Sequence, residues 1–128
     1  MKLRIRGNSI RLRLTKGEIA LLGDTGRVAA STDFGAEWPV FKYELRTDEE
    51  TEGVRALFDR NTIRILLSVS AATAWIKSET VGIESTQQTS ANSFLRLLIE
   101  KDFKCLSPRD GEDESDTFEN PGVLVQCN

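Results

Sequence analysis

Residues 2–14 read Lys-Leu-Arg-Ile-Arg, then Gly-Asn, then Ser-Ile-Arg-Leu-Arg-Leu. Successive side chains on a strand point to opposite faces, so a period of two sorts this segment cleanly. Leu3, Ile5, Ile10, Leu12 and Leu14 fall on one side; Lys2, Arg4, Arg6, Arg11 and Arg13 fall on the other. A helix would mix the two sets around its circumference. The chain therefore opens as a β-ribbon with an apolar face and a basic face, and a purely helical bundle is excluded. Gly7-Asn8 allows two arrangements, a hairpin or one strand carrying a bulge.

The same alternation returns at residues 39–46, where Phe41, Tyr43 and Leu45 oppose Lys42, Glu44 and Arg46. Val54–Phe58 and Thr62–Leu67 flank Asp59-Arg60-Asn61, the chemistry of a hairpin turn. Thr15 and Glu18 have the spacing of a capping box and predict a short helix over residues 16–23. Ser70 is placed to cap a second helix running through Trp75 and Ile76. Further strands are expected at 27–33 and 81–84, and Phe94–Ile99 is apolar enough for a central one. The polar stretch 85–93 reads as a loop, and no internal repeat stands out. The expected fold is α+β: one mostly antiparallel sheet of about seven or eight strands, with room to curl toward a half-barrel, and two short helices.

At 128 residues the chain is expected to form one domain over 1–106. An acidic tail follows over 107–128, with Phe118 and Val123–Val125 to dock it. No window approaches the roughly 20 apolar residues of a membrane span, and no secretory signal opens the chain. A cytoplasmic protein is expected, with Cys105 and Cys127 as reduced thiols. Trp38 and Trp75 are read as packing anchors.

Net charge is −3, but it is unevenly spread. Residues 1–16 carry six cations and no acid; residues 100–120 carry eight acids against three cations. Such a chain can answer its own charges, which weakens any case for nucleic acid. The basic face also lacks the aromatics on which bases stack. There are no histidines, so histidine triads and zinc–histidine sites are excluded. Cys105 stands beside Lys104, a cation that favours thiolate, but no histidine is available as its base.

Two clusters remain as candidate sites. Lys2, Arg4, Arg6, Arg11 and Arg13 form an anion-binding candidate, because a guanidinium meets phosphate or carboxylate through two parallel hydrogen bonds. The bland alternative is a sheet surface whose arginines pair with Glu44, Glu84, Glu100 or Asp102. Asp110, Glu112, Asp113 and Asp116 form a weaker candidate for Mg²⁺ or Ca²⁺, since alternate carboxylates can gather around a hard cation. Their spacing does not match an EF-hand loop. No other cofactor is implied.

Lys2–Arg11, Ile99–Leu106 (Ile-Glu-Lys-Asp-Phe-Lys-Cys-Leu) and Glu112–Pro121 (Glu-Asp-Glu-Ser-Asp-Thr-Phe-Glu-Asn-Pro) together resemble a family of small bacterial proteins of unknown function. The resemblance covers most of the chain and implies a bacterial cytosolic protein without assigning an activity. The β-barrels of triphosphate tunnel proteins invite comparison too. Their opening strand alternates Glu-x-Glu-x-Lys, whereas Lys2, Arg4 and Arg6 stand here, so that likeness is architectural at most.

The leading expectation is a non-catalytic binding protein whose basic sheet face meets an anionic small molecule or an acidic protein partner. The alternatives are a metal-dependent phosphohydrolase acting on a polyphosphate and a protein–protein interaction module.

Overall fold

A computed structural model describes residues 1–103 and 116–118. The elements run β1 (Lys2–Ile5), β2 (Ser9–Leu14), α1 (Lys16–Thr25), β3 (Arg27–Thr32), β4 (Phe41–Asp48), β5 (Val54–Asp59), β6 (Thr62–Ser68), α2 (Val69–Lys77), β7 (Gly82–Ser90) and β8 (Ser93–Lys101). They form two four-stranded sheets, β1-β2-β8-β7 and β3-β4-β6-β5, neither of them closed. The α+β class holds, but the single, mostly antiparallel sheet does not. Each sheet is mixed, because its two inner strands, β2 with β8 and β4 with β6, run parallel. Parallel strands need a crossover longer than a tight turn. Between β2 and β8 the chain leaves the sheet through α1 and returns through α2; between β4 and β6 it crosses through residues 49–53 and β5 without leaving the sheet.

The reason for this topology is an internal repeat that the linear sequence conceals. The unit β1-β2-α1-β3-β4 reappears as β5-β6-α2-β7-β8, and each sheet takes one hairpin from each unit. Asn8, Ile10, Arg11 and Leu14 correspond to Asn61, Ile63, Arg64 and Leu67. The helix caps Thr15 and Ser68 correspond, and the buried Ile19 and Leu22 of α1 match Ala72 and Trp75 of α2. Backbone bonds between the units repeat as well. Lys42 N–H donates to the Asn61 carbonyl at 3.0 Å, and Arg96 N–H donates to the Asn8 carbonyl at 3.1 Å.

Local chemistry accounts for most elements. Gly7 takes φ +54 as the first residue of a two-residue turn, and Arg6 and Ser9 exchange backbone hydrogen bonds across it. The opening segment is therefore a hairpin, not a bulged strand. The capping box forms as expected: Glu18 N–H donates to the Thr15 hydroxyl at 3.3 Å, and Thr15 N–H donates to the Glu18 carboxylate at 3.0 Å. The helix runs past Gly23 and stops at Gly26, whose φ of +76 suits a residue with no Cβ. Ser68, not Ser70, caps α2, accepting from Ala71 N–H at 3.1 Å. Strand β7 replaces the loop expected over 85–93. It is an edge strand whose polar residues hide its period, and Gln87 turns inward. Its side-chain amide accepts from Ala56 N–H at 2.8 Å and donates to the Ala56 carbonyl at 3.0 Å, tying one sheet to the other.

The core lies between the sheets and under the helices. Leu12, Leu14, Leu97 and Ile99 come from one sheet, Val28, Leu45, Ile63, Ile65 and Leu67 from the other, and Leu22 and Trp75 from the helices. Trp75 is an anchor as expected, 2% exposed; Trp38 is not, at 65%. Lys101 is buried at the end of β8, donating to the Ser78 carbonyl at 2.6 Å and lying near the rings of Trp75 and Phe118. Phe118 meets Phe103 through a lone β-bridge, while Asp116 accepts from the amides of Lys16 and Gly17 at the start of α1. Among the described residues no helix is long and apolar enough to cross a membrane.

Two expected outcomes follow from these contacts. Ser68→Ala should lower unfolding stability by about 1 kcal/mol, whereas Ser70→Ala should change it far less, as read by urea titration. Burial lowers the pKa of Lys101 below its usual 10.5, with nearby Glu79 partly opposing the shift. The folded protein then holds that proton more weakly than the unfolded chain. Its stability should therefore rise with pH between the lowered value and 10.5. Urea midpoints from neutral pH to pH 10.5 should show this rise in the wild type, and Lys101→Met should remove it.

Candidate anion-binding face

The strand register sorts the outer face of the β1-β2-β8-β7 sheet into rows. Lys2, Arg13, Glu100 and Gly82 lie side by side, followed by Arg4, Arg11, Leu98 and Glu84. A third row holds Ser9, Arg96 and Thr86, and Arg6 stands opposite Ser9 just past the end of β1. All five cations of the opening segment thus share one face, as their alternation requires. Folding adds Arg96 and Glu84 from the opposite end of the chain.

The cations do not share one role. Glu100 takes the Arg13 guanidinium at 2.8 Å and that of Arg11 as well, and Arg13 and Glu100 are both buried. Lys2 reaches the buried Asp102 at 3.2 Å. This first row matches the bland reading of the arginines as cross-strand pairs. Among the described residues, however, no carboxylate lies within 4 Å of Arg4, Arg6 or Arg96. These three are exposed, and with Arg11, Leu98 and Glu84 they line a concavity of about 590 Å³.

The repeat supplies an internal comparison. On the other sheet, the positions of Arg4, Arg6 and Arg96 are held by Leu57, Asp59 and Lys42. Asp59 pairs with Arg64, the counterpart of Arg11. Glu44, 5% exposed, is ringed by Arg27 at 2.6 Å, Arg64 at 3.1 Å and Arg46 at 3.7 Å. That face answers Arg27, Arg46 and Arg64 from within, while Arg55 and Lys42 on it have no carboxylate of the described residues within 4 Å. The first sheet does the same in its Lys2–Arg13–Glu100 row and stops doing so at Arg4, Arg6 and Arg96.

Sequence reasoning found Lys2, Arg4, Arg6, Arg11 and Arg13, named Glu84 only as a partner for paired arginines, and missed Arg96. Arg96 lies on β8, which pairs with β2, and Glu84 on β7 beyond it, a neighbourhood that only the tertiary fold creates. Of the weak metal candidates, Asp110, Glu112 and Asp113 lie outside the described residues, as do Cys105 and Cys127. Asp116 is engaged at the α1 start, where it accepts from the amides of Lys16 and Gly17. Among the described residues no group of three or more acids, cysteines or histidines is arranged to hold a metal ion.

A family model described as a family of unknown function (DUF7009) matches residues 1–122. No curated protein matches the chain. No solved structure matches it either.

The division of roles predicts opposite responses to substitution. Glu100→Ala removes the carboxylate shared by Arg11 and Arg13 and should cost about 2–3 kcal/mol. That is below the value for a fully buried pair because Arg11 is partly exposed. Arg4→Ala, Arg6→Ala and Arg96→Ala should leave the urea midpoint nearly unchanged, as surface substitutions do.

Proposed function

Because the chain belongs to a family whose function is unknown, we infer its activity from this face alone: it is a binding protein for a small anionic ligand. The observation that carries the reading is the trio Arg4, Arg6 and Arg96. They line a concavity of ligand size, with no carboxylate of the described residues within 4 Å of any of them. Holding three guanidinium groups together costs electrostatic energy unless an opposite charge joins them. On the sister sheet, Asp59 and Glu44 join their arginines; on this one an external anion does so. Arginine suits the task because it presents paired donors in a fixed plane and stays charged at any physiological pH.

Within this reading Arg4, Arg6 and Arg96 hold the ligand, Arg11 contributes the donors that Glu100 leaves open, and Lys2 and Arg13 keep the sheet edge in place. Among the described residues the concavity carries one carboxylate, Glu84, beside the hydroxyls of Ser9, Ser85 and Thr86, and no group of acids arranged to hold a catalytic metal. A binding role is therefore favoured over the hydrolysis of a polyphosphate. Nucleic acid is disfavoured, since the concavity is lined by aliphatic and charged side chains with no aromatic platform.

Thermal unfolding against triphosphate, nucleotides, phosphorylated metabolites and dicarboxylates, each with and without Mg²⁺, tests the proposal. A ligand at 100 times its Kd should stabilise the fold by about 2.7 kcal/mol, a shift of several degrees for a chain of this size. The shift should vanish in the triple variant Arg4→Ala, Arg6→Ala, Arg96→Ala and persist in Lys2→Ala. No shift with any anion, or one that survives the triple variant, would overturn the assignment. A shift that requires Mg²⁺, with phosphate released, would move the protein to the hydrolase class.

A further inference from the structure

Glu84 is out of place on a face that binds anions. It is exposed, it lies in the same row as Arg4 and Arg11, and it lines the same concavity as Arg4, Arg6 and Arg96. Arg96 occupies the diagonal position on the neighbouring strand, about 7–8 Å away between backbones and within side-chain reach. Yet no ion pair joins Glu84 to Arg96 or to Arg11 among the described residues. For a purely anionic ligand this carboxylate would be a repulsive neighbour. Its counterpart on the sister sheet is Ala29, so the scaffold does not require an acid there.

Resting on the anion-site reading, we propose that the ligand is an ampholyte. Its acidic group is held by Arg4, Arg6 and Arg96, and an ammonium or comparable N–H donor is held by Glu84. Amino acids, short peptides and phosphorylated amines have this chemistry. Leu98, half-buried between Arg11 and Glu84, is the floor beneath the spacer that joins the two groups. The width of the site follows from the sheet. Arg4 and Glu84 stand three strands apart, about 14–15 Å between backbones, and long side chains close from both ends. A spacer of a few carbons fits that gap. The hydroxyl of Thr86, in the next row and on the same wall, is placed to accept or donate a further hydrogen bond.

The ligand-borne cation is favoured over a bound metal. A divalent ion needs several oxygen ligands, and Glu84 is the single carboxylate of the described chain on this concavity, with Arg11 and Arg96 beside it. An ammonium needs only one carboxylate partner, and a charged hydrogen bond of that kind discriminates strongly between ligands that have the donor and ligands that lack it.

Matched probes decide the matter: glutarate against glutamate, and ethyl phosphate against phosphoethanolamine, with Kd measured by calorimetry. The wild type should prefer the amine-bearing member of at least one pair by about tenfold or more, the size expected of one charged hydrogen bond. Glu84→Gln should reduce that preference to within about twofold while leaving the plain acid bound as well as before or better, since a like charge has been removed. Equal binding of both members of every pair, lost in the arginine triple variant, would overturn the ampholyte and leave the anion site standing. A preference that survives Glu84→Gln would overturn it too, as would a Mg²⁺ requirement that Glu84→Gln abolishes. Absence of binding by every anion would instead remove the underlying site.

Discussion

The parallel pairing of β2 with β8, and of β4 with β6, is the constraint on which everything else in this protein rests. Neither half of the chain can complete a sheet alone. The β1-β2 hairpin waits for β7-β8 from the far end of the sequence, and β3-β4 waits for β5-β6. A two- or three-residue turn cannot join parallel neighbours: β2 reaches β8 by way of α1, the other sheet and α2, and β4 reaches β6 by way of β5. The helices then lie where Leu22 and Trp75 can seal the core between the sheets. Each sheet is therefore closed by contacts between residues far apart in sequence.

The repeat places like residues at like stations, and the differences between its copies then become informative. Arg11 and Arg64 occupy equivalent positions and each finds an acid, Glu100 in one sheet and Asp59 with Glu44 in the other. Those pairs are part of how an arginine-rich outer face stays compatible with a folded sheet. Where Leu57 and Asp59 of one copy become Arg4 and Arg6 of the other, the compensation stops. Charge is left facing solvent in a concavity that the same exchange of strands has built. The proposed site consists of the residues that break the symmetry.

Much of this was legible along the chain. The alternation at 2–14 and 39–46 defined which side chains share a face, and the turn residues of the 54–67 hairpin and the Thr15–Glu18 box placed their elements closely. The repeat was not legible because its copies drift. The spacing is 53 residues from Leu22 to Trp75, 54 from Leu45 to Ile99 and 55 from Val28 to Ile83. Few side chains outside the inner strands are retained. Strand β7 was read too short, ending at Glu84 instead of Ser90, for a different reason. An edge strand with one face toward solvent and Gln87 serving as a backbone partner has no apolar period to read. Trp38 misled because a large aromatic is read as core by default, and here it stands on an exposed loop.

Sequence alone determined the class of local structure and the sorting of charges onto faces, because strand and helix periods are properties of a few consecutive residues. It also excluded histidine chemistry outright. Only the tertiary structure decided that there are two mixed sheets and that Arg11 and Arg13 belong to Glu100. Likewise, only it brought Arg96 and Glu84 to the side of Arg4 and Arg6. Those outcomes depend on which distant strands pair and in what register. A shift of one residue would turn every arginine of β2 to the opposite face, and that choice is made by the burial of Leu12, Leu14, Leu97 and Ile99 in one shared core.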